Sequence, residues 1–147
     1  MEPHHDSVAT YAKLGWVPFE QENESVSKTL EYAFDDACIA RMAAALGKKE
    51  DAAYFTKRAE SYKNLFDPSV GLMRGKDAEG NWHSPFNPHA YDETEGVKDF
   101  TEGTSWQYSW EVNQDVPGLG GPRGGKGKFG QTLDELLTQS GRAAGGG

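Results

Sequence analysis

The chain has 147 residues, 36% of them hydrophobic, and a formal charge of −8, enough for one domain with a lean core. Residues 118–147 hold Arg123, Lys126, Lys128 and Arg142 against Asp134 and Glu135, so the acidity belongs to residues 1–117. An acidic body without a basic patch interleaved with aromatics excludes nucleic acid as a partner, and without a long apolar run or an apolar leader at its start we expect neither a membrane span nor secretion through this stretch.

In chain order, Val26, Leu30, Phe34, Cys38, Met42 and Leu46 recur at a spacing of four, with Ala33, Ala37 and Ala45 beside them. This is the stripe of an amphipathic helix over 24–46, ended by Gly47. The lone Cys38 cannot form an internal disulfide and is expected to be a small buried side chain in that stripe. Ala52, Phe55, Ala59, Tyr62 and Phe66 predict a second helix over 49–66, antiparallel to the first because the connection is short.

After the turn at Pro68–Gly71, Leu72-Met73-Arg74 and Trp82-His83 predict a small hairpin around Ala78–Asn81. Residues 84–103 show no period and hold Pro85, Pro88, Gly96 and Gly103, which predicts a long irregular loop, and such loops inside compact domains are functional or disordered. Thr104-Ser105-Trp106-Gln107 fits the capping box T-x-x-Q and predicts a helix from Thr104 to Val112. The glycine-rich stretch after Val116 is expected to sustain no helix, 131–140 to form a short one, and the final RAAGGG to be unstructured. Short and long connections in alternation point to a mainly all-α fold of stacked helical hairpins. Only four or five helices are available, against about twelve in a closed six-hairpin ring, so the chain is either another all-α fold or an arc.

The stretch Phe100-Thr101-Glu102-Gly103-Thr104-Ser105-Trp106-Gln107-Tyr108 sets a carboxylate before a helix start among aromatics. Sugar pockets combine aromatic platforms with carboxylates and amides, so Trp106, Tyr108 and Trp110 supply one ingredient and Glu102 and Gln107 the other. Glu102 is either an acid kept protonated by desolvation against Phe100 and Trp106, or an anion satisfied by the helix N-terminus. Gln107 is either a capping side chain or, through its carbonyl oxygen, one ligand of a hard cation that needs six to eight oxygens. Glu31 and Asp35, at i and i+4 and with Lys28 three residues before Glu31, mark either a polar pocket or a solvated face, with Tyr32 and Asp36 on the neighbouring strip. Arg74 is either a bridge to carboxylates or sugar hydroxyls or a surface arginine. His4, His5, His83 and His89 lack zinc spacing, and neither a nucleophilic serine motif nor a phosphate-binding loop is present.

Four phrases in order, Gly15-Trp16-Val17-Pro18, ESVSKTLEYAFDDACIARMAAALGKKED, YKNLFDPSVGLMRGKDAEGNW and TEGTSWQYSW, resemble the helical domain of glycoside hydrolase family 92. The resemblance runs from Tyr11 to Leu119, with a weaker echo to Ser140. It implies calcium-dependent, inverting exo-α-mannosidase chemistry on mannose-containing glycans. It also implies an arc of an (α/α)6 toroid over 1–117, followed by a glycine-rich segment over 118–147. The glutamate of the family's T-E-G motif is its general acid, which carries over to Glu102. Trp106, Tyr108, Glu31, Asp35 and Arg74 are the candidate substrate contacts, and Gln107 the candidate metal ligand. The base and most calcium ligands come, in the family, from segments absent here. Glu111 and Gln114 depart from the family's aromatic-valine-proline-histidine-aspartate pattern. The expectations are half of a mannosidase site or, as the alternative, a non-catalytic sugar-binding or structural module. An arc whose toroid faces are uncovered is also expected to self-associate.

Overall fold

The computed structural model describes residues 7–91, 98–121 and 123–139. The elements are α1 (Ser7–Leu14), α2 (Ser25–Ala45), α3 (Lys49–Arg58), a 3-10 turn (Ser61–Leu65), β1 (Phe66–Asp67), β2 (Leu72–Met73), α4 (Ser105–Tyr108), α5 (Val116–Gly120) and α6 (Lys126–Gln139). The architecture is mainly helical with one small antiparallel hairpin.

α2 is uninterrupted because Ser25–Ala45 contains neither glycine nor proline and is rich in alanine. It ends at Gly47, whose φ of 71° suits glycine, with the Lys48 amide donating to the Ala43 carbonyl at 2.9 Å. α3 then returns along α2 as expected. The two are pinned by a buried polar knot, in which Arg58 donates to Asp36 through Nε at 2.8 Å and Nη2 at 2.7 Å. The hydroxyl of Tyr11, fully buried on α1, donates to Asp36 Oδ2 at 2.8 Å and to the Arg58 carbonyl at 3.1 Å. Burial, reinforced by the Asp36 contact, pushes the Tyr11 phenol far above its ordinary range.

The core gathers Val26, Leu30 and Ala33 of α2 with Tyr62, Leu65, Phe66, Met73, Phe100, Val112 and Leu119. Only the N-terminal half of the predicted stripe takes part. Phe34, Cys38, Met42 and Leu46 are exposed, because α3 covers the Ala40–Ala43 side of α2 instead. Asp36, placed by sequence beside a solvated strip, is buried for the same reason, since Arg58 and Tyr11 reach it.

The second helix stops at Arg58 rather than continuing to 66. Its last turns tighten into the 3-10 segment and Phe66–Asp67 becomes a strand, which lets Tyr62, Leu65 and Phe66 all face the core. Leu72–Met73 accordingly pairs with Phe66–Asp67, not with 82–83. The expected second pairing survives as a narrow loop, with a Lys76–Trp82 bridge and the His83 amide donating to the Gly75 carbonyl at 2.8 Å. α4 is a single turn rather than a helix to Val112. The glycine-rich segment does support helices: Asp115 caps α5 by accepting from the Gly118 amide at 2.9 Å, and α6 starts at Lys126 and carries Gly127 and Gly130 inside it. The C-terminal RAAGGG lies outside the described residues.

Candidate functional site: the loop that presents Glu102

The segment from Lys98 to Thr104 joins the start of α2 to the start of α4. α2 has no side-chain cap, and its free amides are satisfied by this loop instead. The Lys98 carbonyl accepts from Glu24, and the Asp99 carbonyl accepts from Val26 at 2.9 Å. The Thr101 amide donates to Ser27 Oγ at 2.9 Å, and the Thr101 carbonyl accepts the Tyr108 hydroxyl at 2.7 Å. On the far side Thr104 and Gln107 form the expected capping box: Thr104 Oγ1 accepts from the Gln107 amide at 3.3 Å, and Gln107 Oε1 accepts from the Thr104 amide at 3.0 Å.

Glu102 stands between these clamps, exposed, with φ at 47°. A non-glycine residue in the left-handed region is strained and persists where its surroundings over-determine it, a pattern that concentrates at functional sites. Its neighbour Gly103 leaves no room for a side chain, since a Cβ there would lie 2.8 Å from the Tyr108 ring. Phe100 is buried in the core with its ring 5.6 Å from Tyr108, and Trp106 packs beside His89 at 5.4 Å, so neither covers the Glu102 carboxylate.

A second anchor was not foreseen from sequence. Asp99, 4% exposed, lies 2.8 Å from His83 Nδ1, and His83 stacks on Phe19 at 3.9 Å. Burial raises the Asp99 carboxyl above the usual carboxylate range while the His83 contact pulls the other way. Gly75 permits this approach, since a Cβ there would meet the Asp99 carboxylate at 2.4 Å. Partners 16 residues apart across an irregular loop leave no periodic signal.

The remaining candidates divide. Tyr108 spends its hydroxyl on the loop, holding Thr101. Gln107 spends its carbonyl oxygen on the cap. Arg74 makes three hydrogen bonds within the fold, Nη1 to Asp67 at 3.0 Å, Nε to the His83 carbonyl at 2.8 Å and Nη2 to Ser84 Oγ at 2.7 Å, with its guanidinium 4.8 Å from the Phe86 ring centre. It braces the two small loops. Glu31 and Asp35 are exposed on the outward side of α2, one and two turns beyond Ser27, roughly 6 and 12 Å along its axis. Glu31 joins Leu30, Phe34, Glu111 and Asn113 around a groove of about 160 Å³. Among the described residues no cluster of three or more histidine, cysteine, aspartate or glutamate side chains is placed to hold a metal ion, and no helix is long and apolar enough to cross a membrane.

Solved structures of family 92 enzymes are similar to the chain. A family 92 α-mannosidase of Bacteroides thetaiotaomicron in complex with mannoimidazole matches at 48% identity and a TM-score of 0.86, over 94% of this chain and 18% of that one. A second structure of the same enzyme matches at 49% and 0.85, over 97% and 19%. An inverting family 92 mannosidase of B. thetaiotaomicron matches at 41% and 0.82, over 88% and 17%. An uncharacterised secreted glycosidase of Arthroderma benhamiae is 26% identical over 155 residues, covering 86% of this chain and 20% of that protein. The chain thus spans about a fifth of the length of these relatives. The family model for the glycosyl hydrolase family 92 catalytic domain matches residues 2–146, and the chain belongs to that family.

Proposed function

We propose that this chain is the acid-bearing part of an inverting α-mannosidase that removes terminal mannose from glycans. The observation that carries the reading is the Glu102 loop: a carboxylate in a strained, doubly clamped backbone, exposed at its apex, in a chain of family 92. Glu102 protonates the departing glycosidic oxygen. Ser27, Tyr108 and the Thr104–Gln107 box hold the backbone on either side of it, so that the loop presenting the carboxylate is built before substrate arrives. Inversion requires a second carboxylate some 6.5–9.5 Å away to activate water. That base, and the apolar cover that keeps a glycosidic acid protonated, belong in this reading to parts of the domain beyond this chain.

Trp106, half-buried beside the loop, is the candidate platform for a sugar face, and Glu31 and Asp35 are more distant candidates for hydroxyl contacts. Calcium does not fit the donor set around Gln107, whose one oxygen is already engaged in the cap, whereas calcium takes six to eight oxygens. Its cage, in this reading, is built mostly by residues outside the chain.

The test is hydrolysis of an activated aryl α-mannoside with and without calcium, by the chain alone and by the chain supplied with the remainder of a family 92 catalytic domain. The chain alone should be silent in both conditions. Complementation should restore turnover that Glu102→Gln lowers by at least a hundredfold. Full activity of a complemented Glu102→Gln variant would refute the assignment.

A further inference from the structure

The loop that carries Glu102 is entered through Asp99, which is tied down at two points. Its carbonyl closes the amino end of α2, accepting from the Val26 amide at 2.9 Å and the Ser27 amide at 3.4 Å. Its buried carboxylate lies 2.8 Å from His83 Nδ1. An ionised carboxylate can only accept, so Nδ1–H is the donor. The imidazole is itself held: it stacks on Phe19 with ring centres 3.9 Å apart and planes 7° from parallel. The His83 amide donates to the Gly75 carbonyl at 2.8 Å, the His83 carbonyl accepts Arg74 Nε at 2.8 Å, and the Phe19 amide donates to the Lys76 carbonyl at 3.0 Å. The 75–83 loop and the acid loop are thereby joined through Asp99. Every one of these contacts is made between residues of this chain, whatever precedes or follows it.

We propose that His83 and Asp99 are positioning residues of the reaction, a pair that fixes the entry of the Glu102 loop and so sets where the acid stands against the glycosidic oxygen. The inference rests on Glu102 being that acid. A side chain carried at a φ of 47° keeps its backbone conformation only if both flanks are held. The exit flank has the Thr104–Gln107 box. The entry flank has the bond from the Thr101 amide to Ser27 and, two residues earlier, Asp99. A buried carboxylate is a costly clamp, because desolvation opposes it and pushes the Asp99 carboxyl above its ordinary range. Apolar packing would hold the loop at lower cost but without direction. A hydrogen bond to a stacked ring specifies distance and angle together. That precision matters at a reacting group, where a displacement of about 1 Å can cost about a hundredfold in rate. Neither residue is placed at the sugar, so the pair acts on turnover and not on substrate affinity.

The test uses three variants in the complemented catalytic domain. His83→Phe keeps the stack on Phe19 and removes the donor. His83→Asn loses the ring but sets an amide nitrogen where Nδ1 stands. Asp99→Ala removes the contact together with the buried charge, so it leaves no unpaired ion to unfold the chain. His83→Phe and Asp99→Ala should each lower kcat at least about tenfold with KM within about twofold, and His83→Asn should recover most of the loss. In the chain itself, amide hydrogen exchange at Val26 and Thr101 should quicken at least about tenfold in His83→Phe and Asp99→Ala, with the interior of α2 unchanged. Turnover indifferent to both variants would overturn the proposal. So would a loss carried by KM, a loss that His83→Asn does not recover, or exchange quickened evenly along α2. Glu102→Gln in the same assembly keeps the two readings apart. Activity lost there but untouched by His83→Phe and Asp99→Ala refutes the positioning pair alone, whereas full activity of Glu102→Gln refutes the acid and the pair with it.

Discussion

Glu102 and Asp36 show two ways in which a single carboxylate is held. Glu102 is exposed and its backbone is strained, so its cost lies in φ rather than in desolvation. Glu102→Gly should stabilise the chain by about 1 kcal/mol in urea denaturation while removing the acid, because glycine occupies the left-handed region freely. An unchanged or lower midpoint would mean that the carboxylate itself contributes to the loop. Asp36 is the opposite case: 1% exposed, forked by Arg58 and receiving Tyr11. Asp36→Ala leaves a half-buried guanidinium without its anion and a phenol without its acceptor, and should lower unfolding free energy by about 3 kcal/mol. The Glu102 motif was legible because Thr-Glu-Gly and the capping box are contiguous. Asp36 was not, because its partners come from 25 residues before and 22 after.

At the level of elements, local turn chemistry was read well and pairing was not. Gly47 ends α2 as expected, and a Cβ there would meet nothing within 4 Å, so Gly47→Ala isolates the conformational term. A loss of about 1 kcal/mol should appear with no change in helix content by circular dichroism. The hairpin was predicted around 78–81, yet Leu72–Met73 pairs with Phe66–Asp67 because Asp67 organises the tighter turn. It accepts from the Ser69 amide at 2.9 Å and hydroxyl at 2.6 Å and pairs with Arg74. Burial alone would raise the Asp67 carboxyl, but the Ser69 hydrogen bonds and Arg74 outweigh it and hold it below the ordinary range. A carboxyl whose folded pKa lies below its unfolded value, about 3.9, supplies stability that is present above that value and lost as pH falls through the folded one. Asp67→Asn should therefore cost stability at pH 6 and converge on the wild type as the pH is lowered below 4, checked by urea midpoints across the acid limb.

For the whole molecule, the half-filled stripe of α2 is the informative result. Val26 and Leu30 reach the core, whereas Phe34, Cys38, Met42 and Leu46, equal to them in spacing, face outward. A chain that matches about a fifth of each relative presents such a face when the elements that would cover it are not its own. The chain spans about a fifth of the length of each relative, and under the function proposed above the isolated chain is expected to be catalytically silent.

Sequence by itself determined α2 with its end at Gly47, the short antiparallel return to α3, the capping box at Thr104 and the contiguous motif around Glu102. These depend on contacts within about four residues, where composition and spacing leave a direct imprint. Tertiary structure alone decided which half of the α2 stripe is buried, that Asp36, Arg58 and Tyr11 form one knot, that Arg74 and Tyr108 are engaged within the fold, and that Asp99 meets His83. Each of those outcomes depends on what lies across from a residue rather than beside it, and periodicity reports only that a face is apolar, not what will cover it.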